Sequence, residues 1–143
     1  MNGDSSYTFT ILIPTNSTST LHYIFHAEDV VGNWNESLQK NVTITDNDGP
    51  NFGLDSTSTT GTTGEQFTFN IEVSDNIGIQ IVCIEYWFGS GSHQNTTMSG
   101  NGVYSLTRII PEHSISTLHY IFHSNDNAGN WNKTIQKLSL IHI

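Results

Sequence analysis

The sequence predicts an all-β protein: a seven-stranded antiparallel β-sandwich preceded by the C-terminal half of a second copy of the same domain. Three observations carry this. Helix formers are scarce while Thr, Ser, Asn, Gly and aromatics abound, a composition of strands and turns. Short segments of alternating apolar residues are bounded by Gly, Asn, Asp and Pro clusters. The chain also repeats itself. Ser19–Asn35 (STLHYIFHAEDVVGNWN) returns 97 residues later as Ser116–Asn132 (STLHYIFHSNDNAGNWN), and 22 of the 40 pairs from Met1/Met98 to Lys40/Lys137 are identical. A period of that length matches one small domain and is too long for a solenoid unit.

The repeat divides the chain. Residues 1–48 hold the three C-terminal strands of a truncated repeat, and residues 49–137 a complete one. Met1 aligns with Met98, inside a domain, and so reads as an internal methionine. Residues 138–143 (LSLIHI) stand where the first copy has NVTITD, and they resemble the in-frame translation of a transposon-end sequencing adapter. Apolar residues there occupy both strand parities, so they are expected to be a non-native tail outside the fold.

In the first copy, strands are expected at Tyr7–Ile13, Thr20–Asp29 and from Trp34 to Thr45. The odd positions of the third (Asn35, Ser37, Gln39, Asn41, Thr43) are polar and are expected to face water. Three strands do not make a two-sheet sandwich, so this part should leave an apolar face uncovered. Thr45–Gly53 (TDNDGPNFG) is a linker, strand A lies near Asn51–Ser56, and Thr57–Gly64 reads as a flexible low-complexity connection. Phe67, Phe69, Ile71 and Val73 alternate strictly within Glu65–Asp75, the clearest half-buried strand. After the turn Asp75-Asn-Ile-Gly78 comes Ile79–Phe88, with Val82, Ile84, Tyr86 and Phe88 on one face and Cys83, Glu85 and Trp87 on the other. Gln94–Ser99 is a polar edge strand and Gly100-Asn-Gly102 a tight turn. Val103–Ile110, Thr117–Asp126 and Trp131–Lys137 then repeat the strands of the first copy.

The pattern Phe67-x-Phe-x-Ile-x-Val, Asp75-Asn-x-Gly, Val82-x-Ile-x-Tyr86, Tyr120-x-Phe and Asp126-x-Ala-Gly-Asn130 resembles the immunoglobulin-like repeat domains of large bacterial and archaeal surface proteins. Those lie near fibronectin type III, PKD-type and cadherin-like modules. The resemblance covers nearly all of the chain. It implies an immunoglobulin-like sandwich at the cell surface or outside the cell, acting as a non-catalytic spacer, stalk or adhesive module, with neighbouring repeats and a surface protein or glycan as partners. The alternative is a carbohydrate-binding or other ligand-binding module ancillary to an enzyme.

Composition narrows the partners. Four Lys+Arg against 13 Asp+Glu give a net charge of −9, which excludes electrostatic binding to nucleic acid. No hydrophobic run reaches membrane-spanning length, so no membrane insertion is expected. The single cysteine, Cys83, precludes an intrachain disulfide. No nucleophile elbow, glycine-rich phosphate loop or paired catalytic carboxylates stand in a recognisable frame, so no enzyme and no organic cofactor are expected.

The remaining candidates are polar. Asp46 and Asp48 are hard oxygen ligands two residues apart, and their linker resembles the acidic inter-domain linker at which cadherin-like proteins bind calcium. Glu28, Asp29 and Asp75 could add oxygens. Asp29 with Gly32-Asn33, and Asp126 with Gly129-Asn130, are expected to cap hairpin turns in which Gly and Asn take positive φ. His22 and His26 lie roughly 13 Å apart if extended, at about 3.3 Å per residue, so they read as exposed strand residues and not as a zinc pair. Asn16, Asn35, Asn41, Asn95 and Asn132 begin Asn-x-Ser/Thr sequons, sites of glycosylation in a secreted protein. Tyr23/Tyr120 and Phe25/Phe122 are assigned to the core. Trp87 is expected outward beside Glu85, packed under a loop.

Overall fold

The computed structural model describes residues 5–143, so the reading of Met1 falls outside it. The chain forms two compact units, divided between Ile44 and Thr45. Residues 45–48 therefore belong with the complete repeat, not with the truncated one.

The first unit is two short antiparallel ladders. Strand β1 (Leu21–Tyr23) pairs with β4 (Lys40–Val42), and β2 (His26–Glu28) with β3 (Trp34–Glu36). Tyr7–Ile13 is not a strand, contrary to expectation. Its counterpart in the second unit pairs on both sides, whereas Tyr7–Ile13 has no ladder partner among the described residues. An extended segment without a ladder partner gains no cooperative backbone bonding. Large apolar residues are exposed in this unit, as expected: Phe9, Leu12 and Leu38. Phe25, assigned to the core, is exposed with them, unlike its buried counterpart Phe122.

The second unit is a two-sheet β-sandwich. One sheet has the order β10-β11-β7-β5, built from β5 (Asn51–Asp55), β7 (Gln66–Ser74), β10 (Ser99–Asn101) and β11 (Val103–Ile109). The other runs β6-β14-β12-β8-β9, from β6 (Thr60–Thr62), β8 (Ile79–Phe88), β9 (Gln94–Thr97), β12 (Leu118–Asp126) and β14 (Lys137–His142). Strand β13 (Trp131–Lys133) also pairs with β12. This is the strand order of an immunoglobulin-type sandwich. The alternating residues fill its centre: Phe67, Phe69, Ile71 and Val73 from β7 meet Val82 and Ile84 from β8 and Leu118, Tyr120 and Phe122 from β12. Phe69 packs edge-on against Tyr120 at 5.4 Å, and Tyr120 against Phe122 at 5.5 Å. Such ring pairs add to the burial term, which is worth about 1.5–3 kcal/mol for each large apolar side chain. Between β9 and β10 the chain passes from one sheet to the other, and Met98 plugs the crossing into the core.

Three expectations change. The Thr57–Gly64 connection contains β6, which pairs in parallel with β14, so the sandwich is not wholly antiparallel. The hairpin after Ser99 is tighter than expected: Gly100 and Asn101 are in β10, and the turn centres on Gly102, whose φ is +79°. A side chain at Gly100 would collide with the Val103 carbonyl oxygen.

The third change concerns residues 138–143. Lys137–His142 are strand β14, with Ser139 fully buried and Ile141 6% exposed in the core, so this segment is not outside the fold. Strand parity does not carry through to these residues because the last strand is interrupted. Asn132 faces the same way as buried Ser124, whereas Lys137 and Ser139 face with Tyr120 and Leu118. Between them Thr134 replaces the regular ladder: its amide donates to the Phe122 carbonyl, and its hydroxyl accepts the Phe122 N–H. Facing parity changes across that interruption, as it does between β3 and β4. Asn35 and Asn41 are therefore not on one continuous polar face.

A polar bridge closes the same region. Lys137 Nζ reaches Asp55 Oδ2 at 2.8 Å, and the Tyr120 hydroxyl donates to the same oxygen at 3.2 Å. Burial, and next the Asp55 charge, push the Tyr120 phenol up to about 12. Burial also raises the Asp55 carboxyl, but Lys137 and Thr57 outweigh it and hold it below its ordinary value.

Two outcomes are expected. Ile141→Ala lowers stability by about 2–4 kcal/mol in urea unfolding, the cost of a core cavity; an unchanged midpoint would place the segment outside the fold. The Tyr120 phenol contributes stability that is complete below its ordinary pKa of about 10 and is lost as pH rises through about 12. The melting temperature should fall across that interval, and Tyr120→Phe should flatten the fall.

Candidate functional site

The repeated Asp-x-x-Gly-Asn turn takes the same form in both units. Asp29 Oδ1 accepts the amides of Val31 and Asn33, and its Oδ2 the Asn33 side chain. The Asn33 amide and side-chain hydrogen bonds hold the Asp29 carboxyl below its ordinary value. Asp126 repeats this with the Asn130 amide and side chain, both at 2.8 Å. Gly32 and Gly129 adopt φ of +89° and +91°, as expected, but Asn33 and Asn130 do not take positive φ. They serve the turn through their side chains instead.

The second unit adds something the first turn does not share. The end of β12 lies beside the start of β8, with Asp126 opposite Ile79, so the Asp126 turn and the Asp75 turn meet. Asp75 Oδ2 caps its own turn by accepting the Ile77 and Gly78 amides at 2.8 and 2.9 Å. The entering segment crosses this end of the sandwich, pinned by Asn130 Nδ2, which donates to the Asp46 and Asp48 carbonyls, each at 3.2 Å. Asp46, Asp75 and Asp126 thereby each bring a carboxylate oxygen within 4.8 Å of the others. Asp126 is fully buried, and Asp46 Oδ2 and Asp75 Oδ1 are buried with no hydrogen-bond partner. Burial raises the Asp126 carboxyl, but the Asn130 hydrogen bonds, joined by those of the Asp46 side chain and the Ala128 amide, outweigh it and hold it below its ordinary value.

Of the predicted ligands, Asp46 and Asp75 come together. Asp48 contributes a carbonyl to Asn130 and an amide to Asp46, and its carboxylate is not in the group. Glu28 and Asp29 lie in the first unit and are not in it either. From the sequence Asp126 is expected only as a turn cap. The signal that could have found it was strand order: once β8 and β12 are neighbours, their facing turns bring Asp75 and Asp126 side by side.

The outer face of the β8–β12 sheet carries the histidines and tryptophans. Glu85 is gripped by His93 Nδ1 at 2.6 Å and His123 Nε2 at 2.9 Å, and those two hydrogen bonds hold its carboxyl below the usual range. Trp87 lies under the loop as expected, stacked on His93 at 3.8 Å and flanked by His119. Cys83 sits on this face, its thiol pushed up by burial and by Glu85. His22 bonds Asn41 and His26 approaches Glu36, so these histidines are engaged separately. Trp131, by contrast, is 60% exposed. Among the sequons, Asn16, Asn35, Asn41 and Asn95 are exposed, while the Asn132 side-chain nitrogen donates to the Pro50 carbonyl at 2.8 Å.

No family model matches this chain, and no curated protein matches it. Among solved structures it is similar to a Br derivative of BhCBM56, at 19% identity over 62% of this chain and 99% of that one, with a TM-score of 0.47. It is also similar to a carbohydrate-binding module family 56 β-1,3-glucan binding domain, at 20% identity over 62% of this chain and 96% of that one, with a TM-score of 0.44.

Proposed function

We propose that this chain is a non-catalytic structural or adhesive repeat module of a surface or secreted protein, and that Asp46, Asp75 and Asp126 hold a calcium ion that ties its entering segment to the sandwich. One observation carries the reading: three carboxylates converge on one another, and two of their oxygens are buried without a donor. A buried carboxylate oxygen without a partner is costly, and three adjacent carboxylates repel one another. Hard oxygen ligands select calcium or magnesium over softer transition metals, and irregular turns of this kind suit the flexible coordination of calcium. Asp46 belongs to the entering segment while Asp75 and Asp126 belong to the sandwich, so the ion would act as a clamp. The 97-residue repeat and the resemblance to immunoglobulin-like surface repeats support a module that works in series with copies of itself. Millimolar calcium outside the cell fits the modest affinity of such extracellular sites.

A second reading, binding of a carbohydrate, is favoured by the open indole of Trp131.

Calcium at a free concentration about a hundredfold above its dissociation constant should stabilise the chain by about 2.7 kcal/mol, a rise in melting temperature of roughly 10 °C over the same protein in chelator. Asp75→Asn and Asp126→Asn should each remove most of that difference, and Asp48→Asn should keep it. Comparing each variant with and without calcium separates loss of the ion from loss of a turn cap. Absence of both calorimetric heat and a melting shift at millimolar calcium would sink the reading.

A further inference from the structure

We infer that Trp131, His123 and Lys133 form a binding site for one pyranose ring of a neutral glycan; this rests on the carbohydrate reading above. Trp131 and Lys133 project from β13 on the same sheet face as their β12 partners Asn125 and His123. Trp131, Lys133, His123 and Asn132 line a shallow hollow of about 280 Å³. That is near the lower bound of roughly 300 Å³ for small-molecule sites, room for a ring and not for a large ligand.

The indole is open by arrangement and not by default. On the same face Trp87 is covered by two histidine rings and is only 8% exposed, whereas Trp131 stands 60% exposed on a strand paired to β12. The feature also recurs: Trp34, its counterpart in the first unit, is 66% exposed on β3, with His26 on the neighbouring strand. A sheet position that holds an open tryptophan beside a histidine in both copies is more than a stray surface residue.

The surroundings select the ligand. An indole face offers stacking to the C–H face of a sugar ring, and its edges leave the ring hydroxyls to polar neighbours. His123 is held in place through Nε2 by Glu85, leaving Nδ1 as its remaining ring nitrogen. Among the described residues Lys137 is paired with Asp55 and Arg108 with a backbone carbonyl, while Lys133 has no ion pair. The net charge of −9 disfavours an anionic glycan.

The test titrates the full chain with laminarihexaose and cellohexaose, following tryptophan fluorescence and calorimetric heat. Because Trp34 could bind in the same way, Trp34→Ala serves as the parent for the comparison. That parent should bind one of the oligosaccharides, and adding Trp131→Ala should weaken binding at least tenfold with an unchanged melting temperature. Adding Trp131→Phe should retain part of it. Binding undiminished by Trp131→Ala overturns this site but leaves the carbohydrate reading standing. Silence of the unmodified chain, folded and screened on a broad glycan array, overturns both.

Discussion

The second unit depends on one interaction, the interlocking of β7 with β8 and β12 across the sandwich. Phe69, Ile71, Ile84 and Phe122 are essentially without exposure, and they come from three strands in two different sheets. Neither sheet has a second apolar layer to bury against, so neither is stable without the other. Everything chemically distinctive lies where this packing ends.

At one end, the geometry of the core dictates that the turns following β7 and β12 lie side by side. Each turn carries an Asp because an Asp side chain satisfies the amides that a tight reversal leaves unpaired. That local need explains one oxygen of Asp75, and it explains both oxygens of Asp126 through Asn130. It does not explain the second oxygen of Asp75 or the approach of Asp46, and this excess of negative charge singles out the site. The outer sheet face works on a different principle. There Glu85 orders two histidines, one of which covers Trp87 while the other borders the open Trp131.

The sequence was most legible where period-two alternation is strict. Phe67 to Val73 and Leu118 to Phe122 were placed in the core from the pattern alone, because a strand buried on one face must alternate. Reading failed where the ladder is irregular. Thr134 takes the place of a regular pair, parity changes behind it, and residues 138–143 then read as foreign although Ile141 fills the core. Thr57–Gly64 lacks apolar residues, yet β6 lies within it, held to β14 by backbone bonds that any sequence can make. Tyr7–Ile13 shows the converse, a strand-like pattern with no ladder partner among the described residues.

For the candidate metal centre, the acidic linker and the Asp75 turn stood out as oxygen-rich, but the grouping did not. Asp46, Asp75 and Asp126 are far apart in the chain, and no local spacing relates them. By itself the sequence determined the fold class, the repeat and which faces are apolar, since these follow from propensity and periodicity within short windows. Only the tertiary structure decided which turns meet, which carboxylate oxygens lose their partners and which indole stays open. Those follow from strand neighbours and register, which are set by contacts between residues remote in sequence.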